Sequence, residues 1–189
     1  MASDVVSPKQ QRSIEKRNKI LQAGFKLFKQ KGYYNTTTAE IAKEAGVSTG
    51  IVYRYFTDKK DIFIETMEQF YRQVYDIFID NIKNINSYSE LPEYLNSTID
   101  YAISTHDMTK DVYEEIEALS HYDEDVGKMC NKVQEEIISI LISIFPKLGL
   151  SPDHSHEKLH VILDLIDSYC EEVVYRRKTV KTIHILENL

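Results

Sequence analysis

Residues 35–63 read NTTTAEIAKEAGVSTGIVYRYFTDKKDIF, two short helical patterns meeting at Gly46, each with hydroxyl side chains clustered ahead of it. The stretch has too few apolar residues to form a core of its own. It also has too many small polar ones for an ordinary helical hairpin, which implies a partner outside the protein. Two short helices that cross steeply constrain particular positions. Ala42 is small where the helices approach, Gly46 permits a left-handed turn, and Ile41, Ala45, Val47, Val52 and Tyr55 supply a small shared core. Ser48, Thr49, Gly50, Tyr53 and Arg54 are then left to face outward near the start of the second helix, where a helix-turn-helix meets the major groove of DNA.

The hydroxyls fit the same partner. Thr36, Thr37 and Thr38 lie at the start of one helix and Ser48 and Thr49 at the start of the next, where backbone N–H groups and a partial positive charge favour phosphate oxygens. Lys59, opening the following helix, adds a third contact of that kind. Such contacts position a protein on the duplex, and discrimination must come from base edges. Arg54 can donate to guanine in bidentate fashion, Thr49 can touch a thymine methyl, and Gly50 lets the backbone come close. Taken singly each of these residues could be structural, Thr37 and Thr38 as helix caps and Tyr53 as a packed ring.

Outward from this stretch the chain reads as all-α, with no alternating strand pattern, internal repeat or low-complexity tract. Ser7-Pro8-Lys9-Gln10 marks a helix start, and Lys31-Gly32 ends that first helix. The second helix is expected over Thr38 to Ala45 and the third from Ser48 or Thr49 to Phe56. A much longer fourth, capped by Asp58, runs through Phe63, Met67, Phe70, Val74 and Phe78 to Ile82. Further helices are expected near 90–105, 109–121, 124–145 and 156–177, with breaks at Asn86-Ser87, His106-Asp107 and Pro146 to Pro152.

The 189-residue chain has a net charge of -7, which argues against a polyanion partner for the molecule as a whole. The charge is unevenly placed: residues 1–72 carry +5 and residues 73–189 carry -12. A basic module of residues 1–72 on an acidic module of residues 73–189 implies that the first alone meets nucleic acid, while the second orients the approach. The boundary falls inside the fourth helix, so the modules share an element. No apolar run approaches the roughly 20 residues needed to span a bilayer, and the N-terminus lacks the order of a secretory signal, so a cytoplasmic protein without a membrane partner is expected. Cys130 and Cys170 fall in separate helices and form neither a disulfide framework nor a zinc spacing.

ILQAGFKLFKQKGYYNTTTAEIAKEAGVSTGIVYRYFTDKKDIF, residues 20–63, resembles the N-terminal domain of the tetracycline-repressor (TetR) family of bacterial regulators, a likeness that extends over roughly residues 10–70. The resemblance lies in Ile-Leu-x-Ala with Leu-Phe in the first helix, the Gly-Tyr turn, the Thr pair, Ile-Ala-x-x-Ala-Gly-Val-Ser, and Tyr-x-Tyr-Phe followed by Lys. Gly24 departs from it, since many members have Ala there. The resemblance implies a three-helix helix-turn-helix domain joined through a long helix to a larger helical domain for ligand binding and dimerisation. It places Thr37, Thr38, Ser48, Thr49, Gly50, Tyr53, Arg54 and Lys59 at or near DNA, with Tyr53 and Lys59 on phosphates. It further implies a ligand-responsive homodimeric repressor that reads a pseudo-palindromic double-stranded operator, and an effector that the family does not identify. A DNA-binding protein without small-molecule control, whose second half only dimerises or recruits a protein, is the alternative.

In the second module VQEEIISILISIF, residues 133–145, and VILDLIDSYCEEVV, residues 161–174, carry apolar residues on more than one face. A central core helix or a subunit interface accounts for such width. The resemblance favours the interface, a four-helix bundle made by the last two long helices of each protomer. Residues 73–189 hold eight tyrosines, among them Tyr75, Tyr101, Tyr113 and Tyr169, beside an excess of carboxylates. Tyrosine faces near acids suit a lipophilic cation, although tyrosines at packing boundaries and solvated acids explain the composition better, and an apolar or acyl ligand then fits equally. His154, His156 and His160 form the one metal-like cluster, and a polar helix start explains it better than a ligand set; a metal-dependent enzyme around it is the remaining alternative. His106, His121 and His184 read as lone surface or satisfied core groups. No nucleophile elbow, phosphate loop or paired catalytic carboxylates occur, and Glu114-Glu115-x-Glu117 reads as a solvated face. Neither an enzyme nor a cofactor is expected.

Overall fold

The computed structural model describes residues 8–151 and 153–176, and among these there are helices and turns but no strand. Ser7, the expected first cap, lies outside them, as do residues 177–189. The helices are α1 Pro8–Lys31, α2 Thr38–Glu44, α3 Thr49–Val52, α4 Lys59–Lys83, α5 Leu91–Met108, α6 Lys110–Tyr122, α7 Glu124–Ile144 and α8 Ser155–Arg176, with short 3-10 turns at Tyr88–Glu90 and Phe145–Leu148.

Local chemistry sets most of the boundaries. Thr37 and Glu40 form a reciprocal capping box at the start of α2. Asp58 accepts the amide of Asp61 at 3.0 Å, and Asp123 caps α7 at the amides of Asp125 and Val126. Gly46 takes φ +67° between α2 and α3, the left-handed turn that the sequence expects there. Helix α3 is shorter than expected. Its α-helical part ends at Val52, and Tyr55 N–H bonds the Val52 carbonyl in a tighter turn that brings Phe56 into the core. The expected break at His106-Asp107 is also displaced: α5 runs on to Met108, because His106 is a buried side chain packed on the next helix.

One apolar core runs through both halves of the chain. Ile20, Leu21 and Phe28 of α1, Ile41 of α2 and Val52 of α3 close over Ile62, Phe63 and Met67 of α4, and the same cluster continues through Ile116 of α6 and Val126 of α7. A Cβ on Gly24 would lie 2.9 Å from Ile62 Cγ2, so this glycine lets α1 pack closely on α4. Helix α4 is unbroken over 25 residues and carries the core from the small helices into the larger bundle.

Polar ties cross the same junction. Glu115 of α6 accepts the backbone N–H of Tyr33, while Lys59 donates to the Tyr33 carbonyl at 2.6 Å and lies 4.1 Å from the centre of its ring. Lys60 pairs with Asp125 at 2.6 Å and Asp123 at 3.3 Å. Glu115, expected as part of a solvated face, is thus partly buried against the α1–α2 turn, and that burial pushes its carboxyl above the usual range. Glu115→Ala should cost about 1–2 kcal/mol in denaturant unfolding and speed hydrogen exchange at the Tyr33 amide. Unchanged exchange there would mean that the tie contributes nothing.

Candidate nucleic-acid interface and ligand cavity

The helix-turn-helix residues divide sharply by exposure. Ile41, Ala42 and Val52 are buried, while Ser48, Thr49, Gly50, Tyr53 and Arg54 are exposed together on and just after α3. Ser48, the N-cap of α3, makes no side-chain cap bond. Gly50 has open space where a side chain would begin. The surface therefore presents two hydroxyls, a bare backbone, a phenol and a guanidinium, a set able to read base edges and phosphates.

The threonines play unequal parts. Thr36 is buried and donates to the Gly32 carbonyl at 2.7 Å, which makes it a fixture of the turn. Thr37 is exposed but its hydroxyl donates to Glu40 at 2.6 Å, and Lys31 followed by Thr37 hold that carboxyl down to about 2. Thr38, in the first turn of α2, is half-buried. Lys59 is half-buried and already engaged with Tyr33, and burial lowers its pKa. A phosphate would share an ammonium that has three donors and has given one to Tyr33.

A second site lies in the larger bundle. A cavity of about 300 Å³ is enclosed by α4, α5, α6, α7 and α8, with Ile79, Ile82, Leu91, Leu95, Leu141 and Phe145 typical of its wall. Of the four tyrosines picked from the sequence, Tyr75 and Tyr113 line it. Tyr101 meets the ring of Phe78 at 5.1 Å and Tyr169 is half-buried on α8, and neither is among the lining side chains. Burial raises the phenol of Tyr75 well above its usual range, so it stays neutral. The polar groups gather around His106, which is 5% exposed and stacks on Tyr113 at 3.9 Å between ring centres. Its Nε2 lies 3.7 Å from Asp167 Oδ1, and its Nδ1 has no hydrogen-bond partner.

Residues 20–66 match the family model for bacterial regulatory proteins of the tetR family. That stretch is similar to the family's N-terminal DNA-binding domain. The HTH-type transcriptional regulator HbdR of Aromatoleum sp. (strain CIB) is 52% identical over 54 residues, 29% of this chain and 24% of that protein, so the chain matches about a quarter of that relative's length. Over the whole fold, a TetR-family transcriptional regulator from Mesorhizobium loti is 25% identical, with a TM-score of 0.72 over 87% of this chain and 85% of the other. A transcriptional regulator from Saccharomonospora viridis, solved in complex with choline, has a TM-score of 0.65 and 21% identity over 85% of this chain and 86% of its own.

The exposed residues on and just after α3 are legible from spacing, but His106 and Asp167 of the cavity are not. His106 stood as a lone histidine and Asp167 as one more acid among many. The pairing of α5 with α8 that brings them together is a long-range contact without a local sequence signature. The three clustered histidines have separate surroundings: His156 bonds Glu135 at 2.7 Å and His160 bonds Asp164 at 3.0 Å. Among the described residues no group of three His, Cys, Asp or Glu is arranged to hold a metal ion. No helix among them is long and apolar enough to cross a membrane.

Proposed function

We propose that this chain is a TetR-family regulator that acts in the cytoplasm as a homodimeric repressor released from its operator by a small molecule. In this reading residues 1–72 bind DNA and residues 73–189 bind the effector and form the dimer. The observation that carries it is the apolar cavity, whose volume falls at the lower end of the range for small-molecule sites and whose wall includes α4. Helix α4 starts at Lys59 beside the α1–α2 turn and passes along the cavity through Val74, Tyr75, Phe78 and Ile82. Filling the cavity shifts one end of an element whose other end holds the DNA-binding helices. Glu115 supplies a second connection, two residues from Tyr113 on the same helix. The affinity change is bounded by the coupling energy, typically about 1–3 kcal/mol. The cavity is what favours this reading over a regulator whose second half only dimerises.

Two recognition helices related by a two-fold axis read half-sites about one helical turn apart, roughly 34–36 Å. Operators selected from genomic fragments should therefore be pseudo-palindromic. On such an operator Arg54→Ala should lose about 1–3 kcal/mol of discrimination at one base pair, while Lys59→Ala should weaken all sequences alike and lower the salt slope by about one. Because Lys59 also holds Tyr33, its variant is to be compared at equal folded fraction. If neither substitution changed operator affinity or its salt dependence, this surface would not be the DNA contact.

A further inference from the structure

We propose that the effector of this cavity is a compact apolar molecule bearing one protonated amine, its N–H donated to Nδ1 of His106 and its charge answered by Asp167. The proposal rests on the reading of the cavity as the effector site and adds the chemical class of what fills it.

The polarity of the wall is directional. Leu91 and His106 both line it and lie 15 residues apart on α5, which is about 22 Å along a helix. Toward Leu91 the wall is Ile79, Ile82, Leu95 and Phe145, with the Tyr94 hydroxyl already donated to the Phe78 carbonyl and Thr98 farther along α5, whereas around His106 it is Tyr75, Tyr113 and Asp167. A ligand that fits has an apolar body and a single polar head, with the head toward His106.

The head must supply a hydrogen. Asp167 Oδ1 lies 3.7 Å from Nε2, beyond hydrogen-bond range but on the side that favours the proton there, and a neutral ring so oriented offers Nδ1 as the acceptor. That nitrogen is buried without a partner, and a buried polar atom left unpaired carries a penalty that a donor on the ligand removes. A site of this kind rejects analogues that lack the donor.

The head must also be cationic rather than anionic. No Lys or Arg is among the lining residues. Close to the pair, the Glu171 carboxyl is raised by burial, then by Glu117 and Asp167, against an opposing contribution from His106, so acids outnumber basic groups at this end. A carboxylate head would enter against the charge of Asp167, while an ammonium is favoured by that charge and by the Tyr75 ring in the same wall.

The test uses four ten-carbon probes of matched body in calorimetric titration of the full-length protein: decylamine, decyltrimethylammonium, decanol and decanoate. Decylamine should bind best, roughly ten-fold or more tighter than decyltrimethylammonium, which has the charge without an N–H, and tighter still than decanoate. His106→Phe keeps an aromatic face for Tyr113 and removes the acceptor; it should erase the preference for decylamine over decyltrimethylammonium. Asp167→Asn, at a side chain 55% exposed, should weaken both cations and leave decanol alone, and it serves if the first variant does not fold. Tightest binding by decanoate, or a preference for decylamine that survives both substitutions, overturns the proposal. Operator release is scored separately: decylamine bound without release overturns the effector reading and leaves the amine assignment standing, and release by decanoate does the reverse.

Discussion

A Gly50→Glu protein is expected to lose operator binding by about a hundred-fold or more while remaining folded. Gly50 sits inside α3 with helical backbone, is exposed, and has nothing within 4 Å of where a Cβ would lie. A side chain placed there meets solvent in the free protein. Glutamate is also the better helix former by several tenths of a kcal/mol to about one, so stability should hold or rise slightly. On DNA the same side chain would carry a negative charge to the surface of Ser48, Thr49, Tyr53 and Arg54 that is proposed to meet phosphates and bases. Like charges brought together at an interface cost several kcal/mol. Gly50→Ala removes the close backbone approach without the charge and should fall between the two. Fluorescence anisotropy with the selected operator and a thermal melt monitored by circular dichroism measure both sides of the claim. Full operator affinity in the glutamate variant would remove α3 from the groove and sink the interface drawn here.

The divide between what the sequence reveals and what it hides follows the range of the interactions. Thr37 with Glu40, Lys31 with Gly32, Gly46 and Asp58 act within four residues of themselves, so their pattern is written locally and the structure repeats it. The exposed set on α3 is equally local, because helical spacing fixes which side chains remain once Val52 is buried. His106 is the opposite case. Its polar character and the following Asp suggested a helix break, yet stacking on Tyr113 from the next helix draws it inside and α5 continues to Met108. Glu115 likewise sits in an acidic run that reads as solvated, and becomes partly buried because the Tyr33 amide arrives from 82 residues away. Tyr101 and Tyr169 show the converse error: composition marks tyrosines without saying which face each helix turns to the cavity. Helix packing decides that, and no periodicity within one helix records it.

That same packing leaves α8 with a face that the single protomer does not cover. Leu163, Cys170 and Val174 turn inward, and burial pushes the Cys170 thiol up to about 12, so it is inert. Val161 at 57% exposure, Ile162 at 46% and Leu165 at 64% face out within one and a half turns. Val161 and Leu165, four residues apart, share a helix face and take no part in the cavity wall. In a two-fold bundle this face packs on the same face of the partner protomer, so a Val161→Glu, Leu165→Glu protein would bring four new carboxylates into the interface. The expected result is a monomer in sedimentation at concentrations where the unsubstituted chain is expected to dimerise, with the cavity intact. Without the second protomer, capture of the second half-site is no longer intramolecular, and operator affinity should fall by about 10²–10⁴-fold while binding to an isolated half-site is unchanged. A variant that sediments as a dimer, or a monomer that holds the full operator as tightly as before, would show that α8 is not the surface through which two protomers span the two half-sites.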